Sequence, residues 1–288
     1  MMDRRIKTRI FPEHNYKGIY HDGKTIRIAL NPKKPITELK YPEFYDVCIT
    51  QKCNSGINGF GNGQNSSGCE YCYQNSTMNG KHALNALNDI DNFFGKMTDN
   101  QRPFQVAIGG GEPTLHPDFI SILKKFYDLG ITPNYTTNGM HIDGDIVEVT
   151  KKYCGGVALS CHKHLEFYWA MAVNKFRTTN IKLNFHNIIS DRESIDDFLS
   201  IYGRYGDKIE YFVLLPYMTK GRAKKKEINA DYLFDKLDKI DRSKIAFGAN
   251  FYPYLKSKKD WDISLYEPEI LSKYLDVMDM SVHKSSFA

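Results

Sequence analysis

The sequence predicts an α/β fold built on a parallel sheet, and three observations carry that expectation. Between Phe44 and Gly248, β-rich runs alternate with longer helical patterns about six times, and such order means parallel strands joined by helical crossovers. Glycines and polar residues cluster at the ends of the β-rich runs, as in Gly109-Gly110-Gly111. Composition is that of a globular chain, with 41% hydrophobic and 25% charged residues. The pattern fits an open doubly wound sheet or a closed or partly closed (β/α) barrel, and periodicity alone does not choose. Both architectures put their sites at the carboxyl ends of the strands.

Residues 1–42 read as an amino-terminal extension. Tyr16–Tyr20 and Thr25–Leu30 flank His21-Asp22-Gly23-Lys24, and an Asp-Gly between two β-rich runs signals a hairpin. Pro32, Pro35 and Pro42 then mark a linker. Residues 43–250 form the expected core. Its strands are expected at 44–50, 104–108, 132–136, 157–160, 181–189, 209–215 and 244–248. Its helices are expected at 83–97, 117–129, 145–153, 165–176, 194–205 and 230–240. Gly130 stands where a left-handed helix cap belongs. Residues 54–67, rich in Gly, Asn and Ser, read as a loop. Residues 251–288 are expected to pack on the core, with 262–279 covering one edge.

The 288 residues carry a net charge of +5 and a pI near 8.7. That falls short of the basicity of about pI 9 that marks an electrostatic nucleic-acid binder, so no high-affinity nucleic acid is expected. The basic runs Lys220–Lys226 and Lys256–Lys259 read as solvated surface. No apolar run reaches the ~18 residues of a membrane span, and the first residues lack the apolar core of a secretory signal. The expected location is the cytoplasm.

Cys48, Cys53, Cys69 and Cys72 fall close together, Cys154 and Cys161 follow, and no cysteine comes after them. In a chain without an export signal, clustered cysteines point to metal or catalysis rather than disulfides. Cys53, Cys69 and Cys72 have the spacing C-x15-C-x2-C, which suits zinc or an iron–sulfur cluster. Cys48 would be a fourth zinc ligand, but it lies inside an expected strand and reads as a buried small hydrophobe. With three ligands, a cubane cluster keeps one open position, which catalysis needs. On spacing alone, zinc and cluster stand even.

Cys53-Asn54, Gly68-Cys69-Glu70-Tyr71-Cys72-Tyr73 and Gly110-Gly111-Glu112-Pro113-Thr114 together resemble the radical S-adenosylmethionine (SAM) superfamily. The family pattern is C-x3-C-x2-C with an aromatic residue before the third cysteine. Tyr71 fills that position, while twelve extra residues separate Cys53 from Cys69. Such an insertion is tolerated because closure entropy grows only logarithmically with loop length. Thr136-Thr137-Asn138-Gly139, Ser160, Asn184, His186 and Gly221-Arg222 fall at later strand ends or strands, in keeping with the family.

The resemblance spans roughly Phe44 to Gly248 and implies a partial (β/α)6 TIM-like barrel. It implies a [4Fe–4S] cluster on Cys53, Cys69 and Cys72, with SAM on the unique iron. Reductive cleavage of SAM would give a 5′-deoxyadenosyl radical that abstracts a hydrogen atom from substrate. Glu112 and the Gly110-Gly111 backbone would bind the methionyl ammonium, and Tyr71 would lie near the adenine. Asn138, Ser160 and Asn184 would serve the ribose and carboxylate. Cys161, next to the expected barrel mouth, is a candidate hydrogen-atom donor. A flavodoxin or ferredoxin would supply the electron, and no auxiliary cluster is expected. A peptide or protein substrate is preferred, because the amino-terminal hairpin could offer a strand edge. The alternatives are an RNA or nucleoside substrate, and a zinc- or cluster-bearing binding protein without turnover. A purely structural metal site would need neither Tyr71 nor the Gly-Gly-Glu strand end.

Overall fold

The computed structural model describes residues 6–55, 68–256, 258 and 268–287. Most of the expected loop at 54–67 lies outside them, as does 262–267 of the carboxyl-terminal stretch. The amino-terminal extension is a three-stranded antiparallel sheet rather than a lone hairpin. Its strands are β1 (Lys7–Phe11), β2 (Tyr16–His21) and β3 (Lys24–Ala29), in that order. β1 escapes a hydrophobic-pattern reading because one of its inward residues is Arg9. The guanidinium is buried, yet it donates to the backbone carbonyls of Tyr41, Pro42 and Asn100 at 2.7–2.8 Å. Asp22 (φ 49°) and Gly23 (φ 79°) make the tight turn that their dipeptide predicts.

The core alternates as expected: β4 (Phe44–Thr50), α1 (Ala86–Phe94), β5 (Gln105–Gly110), α2 (Phe119–Asp128), β6 (Thr132–Thr137), α3 (Gly144–Tyr153), β7 (Gly156–Ser160), α4 (Glu166–Phe176), β8 (Lys182–Ile189), α5 (Arg192–Tyr205), β9 (Tyr211–Pro216), α6 (Ala230–Leu237) and β10 (Ile245–Phe247). Strands β4 to β10 pair in parallel in chain order. The carboxyl-terminal segment adds β11 (Ser272–Asp276), parallel to β4, and β12 (Ser281–His283), antiparallel to β11. The nine-stranded sheet therefore begins at β10 and ends at β12 without closing, as in a partial TIM-like barrel.

Local rules explain the helices. Ile90 and Phe94 of α1, and Ile122, Leu123 and Phe126 of α2, repeat at helical spacing and are buried against the sheet. Each fully buried side chain of this kind contributes roughly 1.5–3 kcal/mol. Gly130 (φ 73°) ends α2 in the left-handed region, and Asp191 with Ser194 forms a capping box at the start of α5. Among the described residues, no helix is long and apolar enough to cross a membrane.

Strand alternation makes the lumen. Val106 and Ile108, Val157 and Leu159, and Phe185 face the helices and are fully or nearly fully buried. Their neighbours Ala107, Gly109, Gly156 and Ala158 face inward and are too small to fill a barrel interior, so a cavity of about 900 Å³ remains. The amino-terminal sheet closes its lower end. Tyr20 stacks on Phe104 (5.4 Å between centroids) and Lys182 pairs with Asp22 at 2.8 Å. Buried Glu43 accepts from the Tyr16 hydroxyl at 2.6 Å and from Arg27.

Candidate active site

The three cysteines of the C-x15-C-x2-C pattern all line this cavity, although fifteen residues separate the first two. Ser55 joins them. Its backbone N–H donates to Cys53 Sγ at 3.5 Å, and its hydroxyl lies 3.5 Å from Cys69 Sγ. The Cys72 N–H donates to the Cys69 carbonyl at 3.1 Å, closing a tight turn. Burial and then nearby Glu112 push the Cys53 thiol up to about 12, and burial raises Cys69. These groups are therefore thiols until a metal displaces their protons. Among the described residues, no three His, Cys, Asp or Glu side chains converge on one point as a single bound ion requires. Three soft sulfur donors spread around a cavity mouth suit the separate corners of an iron–sulfur cluster. Cys48 is buried in β4 beside Tyr274, with its thiol directed to the Thr50 carbonyl at 3.6 Å, and does not line the cavity.

The Gly-Gly-Glu segment ends β5. A Cβ on Gly110 (φ 112°) would collide with the Thr50 carbonyl, and one on Gly111 with the Lys52 carbonyl. These two glycines are thus needed for close passage of the segment that leads to Cys53, while all of Gly109–Gly111 still borders the cavity. Glu112 is buried. Its Oε1 accepts from the Thr114 N–H (3.2 Å) and from the hydroxyls of Thr114 (2.6 Å) and Thr137 (2.8 Å), and its Oε2 from the Asn138 N–H (2.7 Å). Burial raises its pKa and these donors oppose the rise. One carboxylate therefore organises the Thr-Asn-Gly turn after β6, and Oε2 keeps a lone pair for a further donor.

The remaining expected residues divide. Tyr71 lines the cavity, with its ring 4.9 Å from that of His162. Asn138 borders the cavity, but its side chain is engaged within the chain. Its amide donates to Asn54 Oδ1 at 2.8 Å and its Oδ1 accepts from the Met140 N–H at 2.9 Å, tying β6 to the first cysteine loop. Ser160 and Asn184 face the lumen, and the Asn184 carboxamide oxygen is buried without a hydrogen-bond partner. Cys161 departs from expectation. Strand parity turns it away from the lumen side of Ser160 into the hydrophobic core, with its thiol towards the Leu159 carbonyl at 3.6 Å. The thiol therefore does not border the cavity. Cys154 is likewise core.

Sequence reasoning gave several groups of the site no role. Arg222, grouped there with the basic run, donates from Nε to the Cys69 carbonyl at 3.0 Å and from Nη2 to the Ser76 carbonyl at 2.7 Å. The strand-end Gly221-Arg222 pair was the available signal, and Gly221 (φ 59°) lies against the backbone of Cys72 and Tyr73. His162 and His186 line the cavity, where burial lowers their pKa values to about 3 and about 4, so both are neutral imidazoles. The His164 imidazole lies 4.0 Å from Cys69 Sγ. Asp46 faces the lumen from the middle of β4, and burial raises it to about 7. Asp46 falls inside the strand expected at 44–50, but the hollowness of the lumen was not legible.

A family model described as the Radical SAM superfamily matches residues 64–208. The fold is similar to Streptococcus suis SuiB bound to S-adenosylmethionine (TM-score 0.65, 17% identity, 86% of this chain and 61% of that one). It is also similar to Streptococcus suis SuiB bound to precursor peptide SuiA (TM-score 0.62, 18% identity, 86% and 60%). A third similar structure is anSMEcpe with bound AdoMet and Kp18Cys peptide (TM-score 0.57, 13% identity, 85% and 75%). The chain thus spans about three fifths of the length of SuiB. No curated protein matches it in sequence.

Proposed function

Because the chain belongs to the Radical SAM superfamily, whose enzymes use a [4Fe–4S] cluster and SAM, we propose that it abstracts a hydrogen atom from a substrate held in the barrel lumen. When bound, these cofactors supply a 5′-deoxyadenosyl radical, which is reactive enough to break an unactivated C–H bond. Cys53, Cys69 and Cys72 would donate the three thiolates, and Arg222 and Ser55 would hold their loop in shape. Glu112 Oε2 would accept from the methionyl ammonium, beside the Gly110-Gly111 backbone. Tyr71 would lie against the adenine, with Ser160 and Asn184 serving the ribose and carboxylate. Asn138 would act through its bond to Asn54, positioning the Cys53 segment. The lumen would exclude water from the radical, which prevents quenching.

The observation that carries this reading is the meeting of three thiols and the Glu112 strand end around one cavity mouth. A cavity of about 900 Å³ lies near the top of the ~300–1,000 Å³ range for small-molecule sites, room for a cofactor and part of a substrate. The test is anaerobic reconstitution, with iron and sulfide analysis, EPR of the reduced protein and chromatographic quantification of 5′-deoxyadenosine. A colourless protein that holds zinc and makes none under strong reductant would overturn it.

For the substrate we propose a peptide or protein side chain. SuiB bound to precursor peptide SuiA and anSMEcpe bound to Kp18Cys peptide share this fold. Strand β3 also pairs only with β2 among the described strands, leaving an edge for an extended chain. The RNA reading loses support, because Arg222 is engaged by backbone carbonyls and Lys226 pairs with Asp191 at 3.0 Å. The electron would come from a flavodoxin- or ferredoxin-type donor.

A further inference from the structure

Asp46 sits in the third position of β4, on the strand face that looks into the lumen. Three other carboxylates on the cavity wall are engaged: Glu43 by Tyr16 and Arg27, Glu112 by Thr114, Thr137 and Asn138, and Asp22 by Lys182. Asp46 has no hydrogen-bond or ion-pair partner among the described residues. Glu210, on β9's side of the wall, has no side-chain partner among the described residues either, but no phenol pair flanks it in register as at Asp46. Asp46 is half-buried, so a carboxylate that no side chain of the wall pairs stands open to a ligand entering the lumen.

The surroundings indicate the ligand's sign. Tyr274 of β11 is the register partner of Asp46, and Tyr73 lies close enough to feel its charge. Two phenol rings beside a carboxylate favour a cation, by the attraction of ring faces for positive charge.

Depth gives the geometry of capture. Asp46 lies four residues before Thr50, about 13 Å along the strand at ~3.3 Å per residue. The cysteines and Glu112 stand at the mouth. A ligand that reached Asp46 would therefore pass beneath them with its charged tip leading.

Resting on the reading of a radical enzyme with a peptide substrate, we propose that Asp46, flanked by Tyr73 and Tyr274, is the recognition site for a cationic group of the substrate, an ammonium or guanidinium at the end of a long side chain. The carbon atoms nearer the backbone of that residue then lie towards the mouth, where hydrogen abstraction occurs. Asp46 positions the substrate and takes no part in bond breaking.

The test measures binding by the anaerobically reconstituted, cluster-loaded protein, without reductant. The probes are acetyl-Gly-Lys-Gly-amide and its norleucine counterpart, which has nearly the same length and no charge, in equilibrium dialysis at pH 8. A charge-assisted hydrogen bond contributes about 1.5–3 kcal/mol, so the lysine probe should bind wild type roughly 10–100-fold more tightly. Asp46→Asn keeps the shape and should bring the two affinities together. Equal affinity of the two probes for wild type, no measurable binding of either, or an unchanged lysine preference in a folded Asp46→Asn protein each overturns the proposal. If the variant does not fold, the wild-type comparison still decides. No turnover is needed, so the two ideas fail separately. A protein that prefers the lysine probe but makes no 5′-deoxyadenosine refutes only the radical reading. One that makes it without the preference refutes only this inference.

Discussion

Arg222 donates from Nε to the carbonyl of Cys69, 153 residues earlier in the chain, at 3.0 Å. A second bond from Nη2 reaches the Ser76 carbonyl, and the Arg222 N–H reaches the Cys72 carbonyl. The segment after β9 thus grips both ends of the turn that carries two of the three thiols. Arg222→Ala should remove two charge-assisted bonds and leave two part-buried carbonyls without them, at a cost of about 1–3 kcal/mol each. The expected outcome is several-fold less iron per protein after reconstitution. Arg222→Lys should recover only part of it, because an ammonium cannot reproduce the planar fork. Iron content equal to wild type in Arg222→Ala would show that the grip is dispensable.

The cysteine assignment makes a sharper comparison. Cys69→Ala and Cys72→Ala should lose the cluster, as judged by iron analysis and EPR. Cys48→Ala should retain it and lose only packing, since that thiol lies in β4 away from the cavity. Loss of metal in Cys48→Ala with retention in Cys53→Ala would reverse the ligand assignment.

Glu112 combines two roles that one substitution exposes together. Glu112→Gln replaces one acceptor oxygen with a donor amide, among four donors that all point at the carboxylate. One of those bonds must be lost, so the urea midpoint should fall by the equivalent of about 1–3 kcal/mol. Loss of charge should also weaken SAM binding about 10–100-fold in equilibrium dialysis. A lowered midpoint with unchanged SAM affinity would leave Glu112 as an organiser of the Thr-Asn-Gly turn alone.

Acid should destabilise the fold through His162 and His186. Burial holds them at about 3 and about 4, below the 6.5 of an exposed imidazole. Between pH 6.5 and about 4 the unfolded chain therefore binds protons there that the folded chain does not. Their contribution is complete above pH 6.5 and is lost as pH falls through that window. Asp46 has the opposite sign. Its raised pKa of about 7 favours the folded state at low pH, and that contribution is lost as pH rises from about 4 through 7. Urea midpoints at pH 7.5, 6 and 5 should fall with acid in wild type. The decline should be shallower in His186→Asn and steeper in Asp46→Asn. Trp169, whose indole N–H donates to the His162 carbonyl at 3.1 Å, is a local fluorescence reporter. A His186→Asn protein with the wild-type slope would mean that His186 is not kept neutral by burial.

The sequence by itself determined the strand and helix order of the core from β4 to β10, the Asp22-Gly23 turn, the cap at Gly130 and the three thiols with the Gly-Gly-Glu strand end. Each follows from rules that act over a few residues: side-chain periodicity, the φ values that glycine allows, and the spacing of soft ligands. Only the tertiary structure decided which face each residue takes. Cys161 lies next to a lumen residue in sequence but faces the helices, because side chains of a strand alternate and register is set by partner strands. Arg9 became a buried clamp and Arg222 a brace, because the carbonyls they bind come from segments far away in the chain. Asp46 was left unpaired because Ala107, Gly109, Gly156 and Ala158 keep the lumen open around it, and that depends on sheet curvature. Long-range pairing and curvature arise from the sum of many contacts, and a local pattern does not encode them.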